Sequence, residues 1–284
     1  MTNENRVVVI GLGFVGQANA VVLARMGYEV YGKDLRDVEN IYATDDFAKI
    51  KMFKDPGELP FKPEENVPVM VCVNSLTLED GQDLKPAMGA LLDARKITKG
   101  PVILRTTLLP SNLEKLDFDI YLPEFLHERL ALEEVQFPDL LVVGYRNEAA
   151  KSASPKFIKD WHAYVKTNLV GKFFEGSPEE CAYIKYLMNI WNALRIGFVN
   201  EYGDAILKDG FTQNHEKVID FVLERAFYLR YGKAFGGHCL PKDLEAFVKS
   251  HNDARILKSL VQSNKEHGEV EAENKARELY YGEE

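Results

Sequence analysis

One cysteine has neighbours that suit nucleophilic chemistry. Cys239 lies in the run AFGGHCLPKD, after Gly236 and Gly237 and before Lys242 and Asp243. Two consecutive glycines let backbone amides approach a ligand closely, because no Cβ stands in the way. A cysteine attacks as the thiolate, and a nearby cation such as Lys242, together with partial exposure in a loop, favours that form. The run predicts a covalent catalyst, with a small buried cysteine beside a glycine-rich loop as the alternative.

A second group of glycines, near the N-terminus, is typical of dinucleotide binding. β-Branched residues at 7–10 run into GLGFVG, and an apolar pattern of helical period follows at 15–26. In this setting Gly11 makes a tight turn, Gly13 lets a pyrophosphate approach the backbone, and Gly16 lets the helix pack on the strand. The amino end of the helix then faces the phosphates.

An acidic residue follows this turn at the distance that a ribose contact requires. A strand predicted at 29–32 leads to Asp34, twenty-three residues after Gly11. A carboxylate there accepts hydrogen bonds from both hydroxyls of an adenosine ribose and repels a 2′-phosphate, so NAD is favoured over NADP.

Strands and helices alternate along the rest of the first 176 residues. This order predicts a parallel, doubly wound α/β sheet, which we interpret as an NAD-binding domain of residues 1–176. Ligands of such sheets bind at the carboxyl ends of the strands, where Asn74, Ser75 and Thr107 fall. Further strands are predicted at 69–73, 101–106, 119–121, 140–143 and 170–174, and a helix at 83–95.

Two glutamates follow the strand predicted at 119–121. In PEFLHERLA, Glu124 and Glu128 are four residues apart and would share a face if the segment were helical. A solvated acidic surface is the alternative.

A long helix is predicted to open an all-α second domain, residues 177–284. Ser177 suits the N-cap and Pro178 the first helical position, and without a break signal the helix runs to about residue 208, roughly 45 Å at 1.5 Å per residue. Such a helix separates two domains and often forms the seam of a homodimer, which we predict here. Its apolar stripe comprises Ile184, Leu187, Met188, Trp191, Leu194 and Phe198.

Polar residues flank this stripe. Lys185 and Asn189 are four residues apart, so both side chains could face one ligand, with an ordinary polar flank as the alternative. The remaining helices, which would surround the loop of Cys239, are predicted at 214–231, 243–250 and 254–279.

Composition disfavours several classes of partner. A formal charge of -9 and a pI near 5.3 argue against nucleic-acid binding, which needs clustered lysine and arginine. Cys72, Cys181 and Cys239 have neither the spacing of zinc ligands nor that of a disulfide framework, so we expect no metal and a reducing cytoplasm. No run of about 18 apolar residues occurs, and no membrane association is expected.

In their order, these motifs resemble the UDP-glucose/GDP-mannose dehydrogenase family, from residue 6 to about residue 265. The motifs are GLGFVG, Asp34, Thr107 before Pro110, PEFLHE, the spacing of Lys185 and Asn189, the pair Asn200 and Glu201, and FGGHCLPKD. In that family an N-terminal Rossmann domain and a central helical domain precede a third domain that holds the nucleotide of the sugar. The sequence is expected to end before that third domain.

The resemblance implies that a nucleotide sugar is oxidised twice at its primary alcohol, with NAD as oxidant. Cys239 would be the nucleophile that holds the intermediates. Lys185 and Asn189 would stabilise oxyanions, and Asp243 would orient Lys185 or a water molecule.

The resemblance also implies roles for residues of the first domain. Glu124 would be the general acid and base of thioester hydrolysis, with Thr107 holding water and Glu128 in support. The implied cofactor contacts are Gly11, Gly13, Phe14, Val15, Gly16, Asp34, Thr107 and Glu128. The implied substrate contacts are Glu124, Phe125, Leu126, Lys185, Asn189, Phe235, Gly236 and Gly237.

The sequence departs from the family pattern at a few positions. Asn74 and Ser75 replace Thr-Pro, Ser111 replaces a glycine, and Arg129 replaces a glycine after the second glutamate. By the resemblance, the Lys-Asp pair after Cys239-Leu-Pro favours the glucose branch of the family over the N-acetylhexosamine branch, and UDP-glucose is the expected substrate. A β-hydroxyacid dehydrogenase type enzyme and a non-catalytic nucleotide-binding homologue stay open as alternatives.

Overall fold

A mainly parallel sheet forms the first part of the chain, as seen in a computed structural model. The structure describes residues 5–79, 81–127, 129–210, 215–222, 234–237, 239–251 and 253–281. The strands are β1 Arg6–Ile10, β2 Glu29–Lys33, β3 Lys51–Met52, β4 Val69–Val71, β5 Thr77–Leu78, β6 Gly81–Gln82, β7 Val102–Leu104, β8 Ile120–Tyr121, β9 Leu140–Tyr145 and β10 Lys172–Gly176.

Helices follow most of these strands. They are α1 Phe14–Arg25, α2 Lys85–Ile97, α3 Pro110–Leu113, α4 Ala131–Gln136, α5 Glu148–Ser152, α6 Lys156–Thr167, α7 Pro178–Lys208, α8 His215–Val222, α9 Cys239–Ser250 and α10 Arg255–Tyr281. The helix predicted at 214–231 is seen as α8, and residues 223–233 lie outside the described part.

Eight of the described strands form one sheet in the order β10-β9-β8-β7-β4-β1-β2-β3. Neighbouring strands are parallel throughout, except that β8 and β9 are antiparallel, with Ile120 opposite Tyr145. The predicted α/β fold is therefore confirmed. The prediction that all strands are parallel is corrected at β8 and β9. The prediction missed β3, because Lys51 and Met52 are two exposed residues without an apolar run.

The sheet is covered on both faces. Successive side chains of a strand point to opposite sides, so Val8 and Ile10 pack with α2 whereas Val7 and Val9 pack with α1 and α6. Both layers are apolar and buried, which is why the strands read as continuous hydrophobic runs.

The chain divides into two compact units. Unit 1 comprises Met1–Leu76 and Gln82–Lys185, and unit 2 comprises Thr77–Gly81 and Tyr186–Glu284. The predicted boundary at residue 176 lies shortly before this division. The function assigned to each of the two predicted domains stays a prediction.

In unit 2, α7 buries one face and exposes another. The buried side chains recur at helical spacing: Tyr186, Ile190, Ala193, Ile196 and Val199. Members of the predicted apolar stripe lie on the other face, where Leu187, Trp191 and Phe198 are 69%, 56% and 55% exposed. Among the described helices, none combines the length and apolarity needed to cross a bilayer.

Candidate active site

The glycine turn after β1 brings backbone atoms unusually close together. Gly11 has φ +87°, which favours glycine, and a Cβ there would lie 2.8 Å from the carbonyl oxygen of Cys72. A Cβ on Gly16 would lie 1.7 Å from the carbonyl oxygen of Gly11. Gly13, the N-cap of α1, has open space beside its Cα. The backbone amides at the start of α1 are thus accessible to an anion.

Asp34 closes this turn from the end of β2. Its Oδ2 accepts a hydrogen bond from Leu12 N at 2.7 Å, and its Oδ1 accepts one from Arg36 N at 3.0 Å. Each carboxylate oxygen can accept a further hydrogen bond. The carboxylate is therefore fixed in direction and still able to bind a ribose.

The other two predicted cofactor residues of this turn act through their backbone. Phe14 O accepts a hydrogen bond from the Tyr42 hydroxyl at 2.9 Å, and Val15 O accepts one from Asn19 Nδ2 at 2.7 Å. These contacts hold the first turn of α1 in place.

Thr107 lies beyond the carboxyl end of β7 and is buried. Its carbonyl oxygen accepts a hydrogen bond from Ser75 Oγ at 2.9 Å, and Thr106 Oγ1 donates to Val73 O at 2.7 Å. The segments after β4 and β7 are thus tied together, and Ser75, which departs from the family pattern, supplies one tie.

Glu124 and Lys185 form a buried ion pair in unit 1. Lys185 Nζ donates to Glu124 Oε1 at 3.2 Å, and the two side chains are 4% and 9% exposed. Glu124 Oε2 accepts a hydrogen bond from Leu126 N at 2.8 Å, and Lys185 Nζ lies 5.2 Å from the centre of the Phe125 ring. The structure therefore brings together four of the residues predicted to bind substrate.

Opposing effects set the pKa of Glu124. Burial raises the pKa of its carboxyl group, but Lys185, the Leu126 N–H and the positive charge of Arg105 together lower it below the ordinary value. Burial also lowers the pKa of Arg105. Glu124 is consequently held as a carboxylate, the form that a general base requires.

Glu124 does not lie on a helix. The segment 122–127 has no regular structure, and α4 begins at Ala131. Its side chain accepts from the backbone two residues on, a local bond that competes with helix formation. The helical face that would have been shared with Glu128 is therefore not formed at Glu124, and Glu128 itself lies outside the described residues.

In unit 2, Asn189 and Asp243 form a buried polar pair. Asn189 Nδ2 donates to Asp243 Oδ2 at 2.6 Å, and the two residues are 8% and 1% exposed. Lys242 Nζ lies 2.9 Å from Asp243 Oδ1, close enough for an ion pair but not in hydrogen-bond geometry. The role of Asp243 in orienting Lys185 stays a prediction.

Cys239 is exposed and is the first residue of α9. The prediction of a loop was wrong at this position, because Pro241 fits the first helical turn, where its missing N–H has no helical partner. Before it, Phe235 is buried whereas Gly236 and Gly237 are exposed, and Gly237 has φ +74°, a conformation that favours glycine. His238 lies outside the described residues.

The three cysteines differ in their exposure to solvent. Burial raises the pKa of the Cys72 thiol to about 12 and that of the Cys181 thiol to about 12. Both are thus poor nucleophiles near neutral pH. Cys239 is the exposed thiol of the three.

Sequence reasoning missed Arg105. Arg105 is buried, its positive charge contributes to the lowered pKa of Glu124, and its Nε has no hydrogen-bond partner among the described residues. The available signal was a cation at the carboxyl end of a predicted strand, directly before Thr106 and Thr107. Within the described part of the chain, no cluster of His, Cys, Asp and Glu could hold a metal ion.

The sheet order and the glycine turn define a Rossmann-like α/β protein. The solved structure of a UDP-D-ManNAc dehydrogenase from Pyrococcus horikoshii superposes with a TM-score of 0.78, covering 98% of this chain and 72% of that one. The two sequences are 20% identical, so this likeness shows the fold.

Similarity in sequence connects the chain with one enzyme family. Residues 179–267 match the family model described as the UDP-glucose/GDP-mannose dehydrogenase family, central domain. The chain is 28% identical to the GDP-mannose 6-dehydrogenase of Azotobacter vinelandii, over 91% of this chain and 68% of that protein. It is also 28% identical to the UDP-glucose 6-dehydrogenase of Rickettsia prowazekii, over 90% and 66%.

These matches confirm the resemblance to this dehydrogenase family that the motifs predicted. The chain spans about two thirds of the length of these two relatives.

Proposed function

We propose that this chain is an NAD-dependent nucleotide-sugar 6-dehydrogenase, which oxidises a primary alcohol to a carboxylate through a thioester on Cys239. The observation that carries the proposal is the exposed thiol at the start of α9, within FGGHCLPKD, while the other two thiols are protonated by burial. The names of the relatives support the substrate class.

The residues of the glycine turn fit NAD. The open space beside Gly13 leaves room for a pyrophosphate at the amino end of α1, where the helix dipole favours an anion. Asp34 would accept from the adenosine ribose hydroxyls. When bound, NAD accepts the hydride in each of the two oxidations.

The proposed reaction has three stages: a first oxidation, a second oxidation on Cys239, and hydrolysis. The alcohol would lose a proton to a base in the site and a hydride to the cofactor, leaving an aldehyde. The Cys239 thiolate would add to the aldehyde carbon to form the anion of a thiohemiacetal, which would lose a second hydride to a second cofactor molecule and become a thioester. Water then cleaves the carbon–sulfur bond, releasing the carboxylate and regenerating the thiol. Two NAD are reduced for each sugar oxidised.

Charged and amide groups would stabilise the oxyanions of this path. Lys185 supplies a buried ammonium and Asn189 an amide N–H, and both are worth more in a site that excludes water. Asp243 would fix the Asn189 amide through their hydrogen bond.

Hydrolysis of the thioester needs a base and a placed water. Glu124, held as a carboxylate, would remove a proton from the attacking water, and Thr107 would help to hold that water. Glu128 would support these groups. Phe125, Leu126, Phe235, Gly236 and Gly237 would contact the sugar nucleotide.

The relatives comprise GDP-mannose 6-dehydrogenases and UDP-glucose 6-dehydrogenases, so two nucleotide sugars are candidate substrates. The pair Lys242 and Asp243 favours the glucose branch over the N-acetylhexosamine branch, and we propose UDP-glucose as the first substrate to test. GDP-mannose is the second, since the relatives include GDP-mannose 6-dehydrogenases. We further propose that residues 1–176 bind NAD, that residues 177–284 carry the nucleophile, and that the protein works in the cytoplasm.

The test is to count the NADH formed per sugar across a panel of UDP- and GDP-sugars, including both candidates. Two NADH per sugar with release of the acid is the expected result. One NADH per molecule, from a small hydroxyacid instead of a sugar nucleotide, would favour a β-hydroxyacid dehydrogenase type enzyme. NAD binding without any reduction would favour a non-catalytic homologue.

A further inference from the structure

The backbone of Phe235, four residues before Cys239, is held by a side chain to which the proposed reaction gives no role. Asn264 lies on α10, within unit 2. Its Oδ1 accepts a hydrogen bond from Phe235 N at 2.8 Å, and its Nδ2 donates to Phe235 O at 3.0 Å. One amide thus satisfies both backbone groups of a single residue, as a neighbouring strand would.

This pair of bonds requires an amide of the right length. A carboxylate of the same size can accept from Phe235 N but cannot donate to Phe235 O, and alanine can do neither. Phe235 as a whole is 4% exposed, so burial of its ring holds the residue in addition to these two hydrogen bonds. A second bond on the same helix, from Ala234 N to Glu271 Oε2 at 3.4 Å, is longer and weaker.

Two of the three residues between this anchor and the nucleophile are glycines. Gly236 and Gly237 are exposed, and glycine has the widest range of backbone angles of any residue. The anchor at Phe235 on one side and the start of α9 on the other must therefore define the path of the chain. Without the first, the segment before Cys239 can sample many conformations.

Asn264 can act as an anchor because α10 is itself fixed to α7. A Cβ on Gly197 would lie 2.2 Å from Leu260 Cδ1, so the two helices pack closely there. Ser263 Oγ donates to Glu201 Oε1 at 2.5 Å, and His267 Nε2 lies 3.0 Å from Asp204 Oδ2. These contacts lie on both sides of Asn264 along α10.

We propose that Asn264 is a positioning residue for Cys239, because it fixes the backbone at Phe235 and thereby limits where the glycine segment can place the thiol. The proposal rests on the proposed function for its kinetic consequence. Its structural consequence, an ordered cysteine segment, holds for any chemistry at Cys239.

The test compares Asn264→Ala and Asn264→Asp with a matched control, Gln262→Ala. Gln262 is an exposed amide on the same helix, and its Nε2 donates to Glu266 at 2.7 Å on that helix. Far-UV circular dichroism and thermal melting establish that each variant is folded. Asn264→Asp, which keeps the acceptor for Phe235 N, is the second variant if Asn264→Ala fails to fold.

Two measurements need no substrate. Amide hydrogen exchange at Phe235 is expected to rise about tenfold in Asn264→Ala, to rise less in Asn264→Asp, and to stay unchanged in Gln262→Ala. Alkylation of Cys239 by iodoacetamide, followed on its peptide by mass spectrometry, is expected to slow about threefold in Asn264→Ala. A less ordered segment holds the thiol less often at the amino end of α9, which stabilises the thiolate.

A third measurement uses the reaction. Formation of the acid is expected to fall about tenfold in Asn264→Ala at saturating substrate, while the first oxidation falls less, because the thiol enters only after that step. Unchanged exchange at Phe235 would overturn the proposal. So would faster exchange with unchanged alkylation and an unchanged ratio of the two oxidations, since Asn264 would then be structural alone.

Failure of the proposed function would look different. The unmodified chain would form no acid from any nucleotide sugar, and the alkylation comparison would still decide whether Asn264 positions the thiol.

Discussion

At the scale of single residues, the buried ion pair of Glu124 and Lys185 costs desolvation free energy and also supplies charged groups to the candidate active site. Two buried charges stabilise each other, but each loses its hydration, so the pair adds little net stability. Substituting only one partner is strongly destabilising, because the other charge is then left buried and unpaired. A carboxyl group whose pKa is displaced, as that of Glu124 is, is more common at functional sites than elsewhere.

This imbalance gives a first prediction. Lys185→Met should lower the free energy of unfolding by about 3 kcal/mol, whereas adding Glu124→Gln should recover much of that loss. Denaturant unfolding measures both. Lys156→Met is the matched control, since Lys156 pairs with Asp160 at 2.6 Å on an exposed surface, and its effect should stay below about 0.5 kcal/mol. Equal losses in the two lysine variants would contradict the buried pair.

A pH series on the unmodified chain and on Glu124→Gln checks the direction in which the pKa of Glu124 is shifted. The folded-state pKa of Glu124 is lowered, so ionisation stabilises the fold at pH values above the ordinary carboxyl pKa and ceases to do so as the pH falls through the folded value. The stability difference between the unmodified chain and Glu124→Gln should therefore be largest near neutral pH and shrink below about pH 4. A difference that grows in acid would mean that the pKa is raised instead.

A second prediction at the residue scale concerns Asp34, the proposed ribose contact. Asp34→Ala should weaken NAD binding and narrow the preference for NAD over NADP, because it removes the carboxylate that is proposed to bind the ribose and to repel a 2′-phosphate. Calorimetry with both cofactors measures this, with Asp37→Ala as a nearby control. The assignment fails if NADP binds the unmodified chain as tightly as NAD does.

Sequence spacing could single out Cys239, Lys185 and Asn189, because each lies in a local motif. It could not reveal that Arg105 lies close to Glu124. That proximity depends on β7 and β8 being neighbours in the sheet, which is a property of the strand order and not of any local pattern. Likewise, the hydrogen bonds of Asn264 join segments that are 29 residues apart.

At the scale of elements, the contact between α1 and the glycine turn leads to a prediction about Gly16. An added methyl group would overlap the Gly11 carbonyl oxygen, so Gly16→Ala should cost about 2 kcal/mol or more in unfolding free energy. Gly89 lies exposed in α2 with no atom near its missing Cβ, and Gly89→Ala should instead stabilise the chain by about 0.5–1 kcal/mol. Thermal and denaturant unfolding compare the two. A harmless Gly16→Ala would mean that α1 does not approach the turn this closely.

Long periodic elements were predictable from sequence, and short or junction-dependent features were not. The helix predicted from residue 178 to about residue 208 is observed as α7, because its capping residues and its length are both encoded locally. The antiparallel junction of β8 and β9 was missed, since the alternation of strands with helices does not reveal the direction of a strand. The early start of α9 was missed because Pro241 reads as a loop residue.

At the scale of the whole molecule, the exposed side of α7 points to self-association. Leu187, Trp191 and Phe198 lie on it with more than half of each side chain exposed, and a surface of this kind is often an interface. The homodimer predicted from the sequence stays a prediction that this surface supports.

Light scattering tests it. The unmodified chain should have twice the chain mass of 32.3 kDa, and Trp191→Glu should reduce it to one chain by placing a charge in an apolar interface. Leu92→Glu, at an exposed apolar position on α2, should leave the dimer intact. A clean monomer of the unmodified chain at micromolar concentration would remove the dimer.

In the proposed reaction, Cys239 holds the sugar as a thioester before water releases the acid. Glu124→Gln removes the base for that last step, so the thioester should accumulate. In a single turnover with excess NAD and the preferred nucleotide sugar, the mass of the peptide containing Cys239 should increase by the mass of the acyl group. The same measurement on Glu124→Gln combined with Cys239→Ala should show no increase. An unchanged Cys239 peptide while the acid is formed, or two NADH per sugar from a chain without the thiol, would contradict the claim.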